Sequence, residues 1–455
     1  REITTMRIAR ICDRAGVVTW AALTLLGAGC GVLDTQNPNI VDAANLDTPA
    51  GAATKRLGAI SQFTLAKDGD FNPVSIPGTS ISNDFSDGQI LLSGILADEF
   101  VNPGFIPTRT EIDLRQGQPT NVNVEDFFRS LHRSRAASED AAASLQKLSP
   151  DPTTDTGIPE MFALAGLAYV FFAEDFCSGV PVSHIVNDTI AYGDQLTTAQ
   201  ILDTAVARFD TALAQPSIVA GDPIHSLASV GLARALLNQG KFAEAAAAVA
   251  AVPPGFVYNT EHALTPSALH NGVAEGWEGG NFGVFDQEGG VGLNYVSAND
   301  PRVTGDSGLG ADNNTPTWKP NKYPTLDAPI PTADYLEAQL IIAESELQAG
   351  QFGPMTNRLN LLREAIGMSD LAAPGNATAA TDLLFRERAF WLFGTGHRLG
   401  DLRRLIRQYG RAANTVFPNG LYYKGGLIYG DGVNLPLPRT ETNNPKVKGC
   451  LDRLP

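Results

Sequence analysis

The chain has 455 residues, 43% of them hydrophobic, enough to bury the core of one large domain or of two or three average ones. Its formal net charge of −16 excludes nucleic acid as a ligand held by overall charge, because that affinity comes from Lys and Arg neutralising phosphates. Four Cys are too few for a disulfide scaffold or a repeated zinc ribbon, and six His leave little for a His-rich metal site.

In chain order, Arg7, Arg10 and Arg14 form a positive segment, 16–26 is apolar, and Gly27-Ala28-Gly29 are small residues ahead of Cys30. The apolar stretch is well short of the roughly 20 residues of a membrane span and fits a signal peptide. We therefore expect 1–29 to be a signal peptide, Cys30 to carry lipid, and 30–48 to be a polar tether into a domain covering 49–455. Residues 1–29 hold four Arg against Glu2 and Asp13, so their removal leaves the body still more acidic. An acidic body gains nothing from an anionic leaflet, and the lipid alone would hold it to the membrane.

The body is helical in pattern. Helices are predicted over 57–66 and 124–148, the latter with Phe127, Phe128, Leu131, Ala141 and Leu145 on one stripe. Residues 68–86 read as a loop and 89–100 as an apolar segment. The alternation in Thr108-Arg109-Thr110-Glu111-Ile112-Asp113-Leu114-Arg115 predicts a strand face, a reading preferred to one in which Arg109 and Arg115 are polar contacts to a ligand. Pro150, Pro152 and Gly157 break the chain before 161–172, a helix apolar nearly all round and therefore central. No window after the N-terminal segment reads as a membrane span. Further helices are predicted over 201–214, capped by Thr197 or Thr198, and over 226–238, closed by Gly240. Asn238-x-Gly240-Lys241-Phe242-x-x-Ala245 resembles the turn inside a tetratricopeptide unit, and 334–349 with 354–366 repeats the scheme. Between these groups, 253–331 is rich in Gly, Asn, Asp and Pro. A run this long inside a domain is usually functional.

Four stretches then resemble the SusD/RagB family of outer-membrane nutrient-uptake lipoproteins. They are Cys30 with Leu33-Asp34 and Asn37-Pro38; helix 161–172 running into Phe176-Cys177-Ser178-Gly179-Val180-Pro181; Tyr335-Leu336-Glu337-Ala338 with Ala343-Glu344-Ser345 and Asn360-x-x-Arg363; and the run from Arg386 to Arg404, followed by Leu435-Pro436-Leu437-Pro438 and Asn444-Pro445. The resemblance implies a mainly α fold, with tetratricopeptide-like hairpins packed against an irregular, ligand-binding half. It also implies a non-enzymatic protein at the cell surface that binds an oligosaccharide or other nutrient, needs no cofactor, and partners a SusC-like TonB-dependent transporter.

The candidate residues follow. Sugar C–H faces pack on aromatic rings while polar side chains bond the hydroxyls, so rings in polar loops are the candidates: Trp277, Tyr295, Trp318, Tyr323, Tyr422 and Tyr423, with Tyr429 near them, although each ring taken alone reads first as a loop anchor packed on the core. Trp391, on a helix, reads as core. Glu387, Arg388, Arg398, Asp401 and Arg404 are expected to form a partly buried ion-pair network rather than an anion site, since the planar guanidinium suits paired carboxylates. Cys177 and Cys450 are the thiols left after export and lipidation, and an oxidising compartment would pair them. Catalytic motifs are missing: there is no His-Glu-x-x-His and no Cys-x-x-Cys, and Gly305-Asp306-Ser307-Gly308-Leu309 lacks the second Gly of a nucleophile elbow. Adjacent carboxylates Asp98 and Glu99 suit a solvated or capping role better than a glycosidase pair. The spacing of Asp300, Asp306 and Asp312 matches no EF-hand, and no metal is expected. A helical-repeat scaffold for proteins of the envelope is the alternative function.

If Cys30 carries the anchor, Cys30→Ala moves the protein from the detergent phase to the soluble fraction or leaves the leader uncleaved. Unchanged partition with normal cleavage would sink that assignment.

Overall fold

The computed structural model describes residues 43–70, 86–186 and 189–453. The signal segment, Cys30 and most of the tether lie outside the described residues.

The helices are α1 (Ala43–Leu46), α2 (Pro49–Asp68), α3 (Gly88–Leu96), α4 (Pro107–Asp113), α5 (Val122–Leu148), α6 (Gly157–Asp175), α7 (Thr198–Leu213), α8 (Pro223–Asn238), α9 (Phe242–Ala248), α10 (Gly272–Glu278), α11 (Tyr335–Gln348), α12 (Phe352–Glu364), α13 (Ala377–Trp391) and α14 (Arg398–Arg407). Local chemistry sets their starts. Thr48, Asn121, Asn271, Asp334 and Asn376 each accept a backbone N–H of the first turn, and Thr197 with Gln200 forms a full capping box ahead of α7. Helices α2, α5, α6, α7, α8, α9, α11 and α12 pack in that succession, a stack of antiparallel hairpins. The α6, α7 and α8 contact is close because Gly166 and Gly231 face Phe209. A Cβ would stand 2.7 Å from the ring at Gly166 and 2.3 Å at Gly231.

Helix α6 holds 19 residues and is by length and composition apolar enough to cross a bilayer, which corrects the expectation that no later window qualifies. Within the fold 94% of it is buried, at the centre of the core. The expected strand over 108–115 is also corrected. Pro107 opens α4, and Arg109, fully buried, bonds Asp87 at 3.0 and 3.1 Å. Its alternating pattern reflects a tertiary ion pair and not a sheet face.

The loop-rich segment 253–331 carries strands instead of long helices. Four short strands precede it, β1 (Val180–Pro181) paired with β4 (Gln195–Leu196) and β2 (His184–Val186) with β3 (Thr189–Ala191). Strand β5 (Val257–Thr260) pairs antiparallel with β8 (Ile330–Asp334), and β6 (Gly305–Leu309) with β7 (Pro316–Pro320), Ser307 opposite Trp318. Val284 and Trp318 exchange both backbone hydrogen bonds, which ties this hairpin through Gly283 to Val101, in the segment after α3.

Cys177, just past α6, is bonded to Cys450, with Cα atoms 5.7 Å apart. Residue 178 pairs with 452 and residue 176 with 435, so the C-terminal tail is stitched to the end of the central helix. The bridge spans 273 residues. In the chain-entropy account a loop of that size is worth about 4–5 kcal/mol. Denatured, unreduced protein lacking residues 1–30 should show no free thiol, and Cys177→Ser/Cys450→Ser should shift the urea midpoint down. Two free thiols, or an unmoved midpoint, would refute the bridge's contribution.

Candidate functional site

The Arg386–Arg404 run supplies the densest chemistry. Arg388 donates to both oxygens of Asp401 at 2.8 and 2.9 Å, and Arg404 donates to Asp401 at 2.7 Å and to Glu344 of α11. Glu387 receives Arg302 at 2.6 Å and Arg363 at 2.9 Å. Arg398 clamps Asp98 at 2.5 and 2.8 Å. Arg403 donates to the carbonyls of Ala173, Glu174 and Phe176, at the end of α6. His397 lies 3.0 Å from Glu337 and 2.9 Å from Arg234. All these groups are buried except Arg363, which is half-buried. Burial alone would raise Asp401, but the guanidiniums of Arg388 and Arg404 hold it well below the ordinary carboxylate value. The carboxylates occupy these cations from within, so the run ties α6, α8, α11 and the loops together and offers no anion site.

Asp98 and Glu99 are buried, not solvated, and serve separate partners. Asp98 takes Arg398, while Glu99 accepts the Gly394 N–H at 2.9 Å. Burial pushes Glu99 up to about 8. Asp300 is held by Arg302, and Asp312 by the Asn314 and Thr315 N–H groups of its own turn.

The six candidate rings divide. Trp277, Tyr295, Tyr323 and Tyr422 are buried, which corrects their assignment as solvent-facing platforms. Trp277 stacks on Tyr323 with centroids 5.5 Å apart and planes 5° apart, against Phe100 and Phe393. Tyr295 packs on Phe390 and Phe393. The Tyr323 hydroxyl donates to Gly394 O at 2.9 Å. Gly394 has φ +69°, and a Cβ there would meet the Trp277 ring at 3.0 Å. A long segment without regular hydrogen bonding is ordered by burying its largest apolar groups, and these rings are that anchor. Trp318 and Tyr423 stay half-buried, with Phe285 set edge-on to Tyr423 at 4.6 Å and Phe105 exposed in the neighbouring loop.

One feature went unseen in the sequence. A cleft of about 900 Å³ opens between α5, the hairpin of β2 (His184–Val186) and β3 (Thr189–Ala191), and residues 440–444. Tyr192, Asn443, Arg133 and Asp140 line it, and Ile185 and Ile190 stand exposed at its rim. The β-branched runs on either side of Asn187-Asp188 were its available signal.

No family model and no curated protein matches the sequence. Solved structures do. A SusD superfamily protein from Bacteroides vulgatus, 15% identical, aligns over 89% of this chain and 99% of its own with a TM-score of 0.62. One from Parabacteroides distasonis, 13% identical, aligns over 88% and 98% with a TM-score of 0.65. The fold is SusD-like. Surface glycan-binding protein A from Bacteroides thetaiotaomicron, solved also in complex with laminarihexaose, aligns over 89% of this chain and 99% of its own at 13% identity and a TM-score of 0.63. The SusD-like fold thus accounts for the mainly α architecture and for nearly all of the described chain.

Removing one member of the buried network strands its partners. Arg404→Met leaves Glu344 and Asp401 short of a cation and should cost about 3–5 kcal/mol in urea unfolding. A loss below about 1 kcal/mol would mean that water reaches the network.

Proposed function

We propose that the chain is a SusD-family lipoprotein of the outer membrane that captures an oligosaccharide at the cell surface, without cleaving it, and passes it to a SusC-like TonB-dependent transporter. The observation that carries this reading is the alignment, over nearly the whole of both chains, with a glycan-binding protein solved with laminarihexaose. The small-residue run before Cys30 supports the lipid anchor. The separate partners of Asp98 and Glu99 leave that pair unfit for glycoside hydrolysis, which needs two carboxyls facing one bond across about 5–10 Å.

The binding surface we assign is the loop-rich half around Trp318 and Tyr423. There the half-buried rings present a face to solvent. The exposed apolar hairpin beside the α5 cleft favours the second reading, a protein-docking scaffold.

A glycan array that includes laminarihexaose, probed with protein lacking residues 1–30, tests the proposal. Trp318→Ala should weaken the captured glycan by about tenfold or more with an unchanged melting temperature, as truncation of an interface anchor does. Trp277→Ala should instead lower the melting temperature. No glycan captured at all would overturn the reading, and full binding by Trp318→Ala would move the site elsewhere.

A further inference from the structure

Beneath the segment 420–430 two buried carboxyl groups form no salt bridge among the described residues. Asp113, at the end of α4, accepts the Asn102 N–H at 2.8 Å and the hydroxyls of Tyr422 and Tyr423 at 2.8 and 2.5 Å, all through Oδ2. Glu288 accepts the Tyr429 hydroxyl at 2.8 Å through Oε1. The remaining oxygens, Asp113 Oδ1 and Glu288 Oε2, are inaccessible to solvent and have no donor, although the two carboxyls are in hydrogen-bonding contact.

Two cations act on the pair through space but spend their hydrogen bonds elsewhere. The Lys424 ammonium bonds Asn102 O and Gly104 O, both at 2.6 Å, with Asp113 and then Asp312 as its carboxylate neighbours. The Arg115 guanidinium bonds Gly432 O and Pro418 O and faces Asp431 first, with Glu288 as a weaker neighbour. Asp98, on the side of α3, adds negative charge but is neutralised by Arg398. Two carboxylates in contact in such a place repel strongly. One proton between Oδ1 and Oε2 removes the repulsion and satisfies both bare oxygens at once.

We propose that Asp113 and Glu288 share one proton and that this proton latches the Tyr422–Tyr429 segment onto the body of the protein. Three of the segment's side chains, Tyr422, Tyr423 and Tyr429, bond the pair, beside the Lys424, Gln116–Ile428 and Gly430–Leu114 hydrogen bonds, while Leu421 and Ile428 project into solvent. Burial raises both acids, Asp113 to about 6. The unfolded chain releases these protons near pH 4, so the folded pair binds a proton that the unfolded chain has lost. The pair therefore holds two protons at low pH, keeps the one shared proton as pH passes about 6, and loses the latch as that last proton leaves above it. Tyr423 belongs to the ring surface assigned above, so the latch would make that surface sensitive to pH. The latch itself does not depend on the glycan reading.

Hydrogen exchange of the intact folded protein, corrected for intrinsic rates, reads it directly. Peptides covering 420–430 should lose protection by about tenfold or more between about pH 5 and about pH 8, while helix α6 stays protected. In Asp113→Asn and in Glu288→Gln an amide N–H takes the place of the shared proton, so protection should no longer fall across this range. A flat wild-type profile, or a wild-type fall preserved in both variants, would overturn the latch. Wild-type protection restored at pH 8 by millimolar calcium would overturn it too, in favour of a bridging cation.

Discussion

The structure depends on buried guanidiniums that find their carboxylates across the chain. Arg388, Arg398 and Arg404 are paired with Asp401, Asp98 and Glu344, and Arg403 is spent on carbonyls at the end of the central helix. Each of these charges is costly to bury alone and tolerable only in company. The network therefore has one low-energy arrangement, with α14 lodged between the hairpin stack and the loop-rich half. The Cys177–Cys450 bond closes the same junction from the other side, at the point where Arg403 reads the end of α6.

From that junction the loop-rich half acquires its order. Gly394 lies where the C-terminal run meets the aromatic core, with its N–H on Glu99, its carbonyl on Tyr323 and the Trp277 ring against its α-carbon. Rings that composition alone would offer to a ligand are used here to hold irregular backbone. At the outer edge Trp318 and Tyr423 are only half covered, above this layer of buried rings.

The same principle explains why the two buried carboxyl pairs differ. Asp98 and Glu99 are adjacent in sequence, yet one meets a guanidinium and the other a backbone N–H. Asp113 and Glu288 are far apart in sequence, yet they meet each other with only hydroxyls and one amide for company. Charge in the first pair is resolved by the guanidinium on Asp98 and by burial that favours the protonated form of Glu99, and in the second by a proton held between the two.

The sequence by itself determined the helical class, the central place of the 161–172 segment, the caps and turns, and the helical hairpins, because these rest on contacts within a few residues. It also identified the charged run 386–404 as structural, since so many Arg and acids in one stretch require mutual neutralisation. Only the tertiary structure decided which partner each arginine takes, that Arg109 lies on a helix, and that Trp277, Tyr295, Tyr323 and Tyr422 are interior. Those outcomes depend on residues tens to hundreds of positions away. A ring in a Gly- and Asn-rich loop has the same local sequence whether it faces water or a second ring, and only the packing of distant segments distinguishes the two.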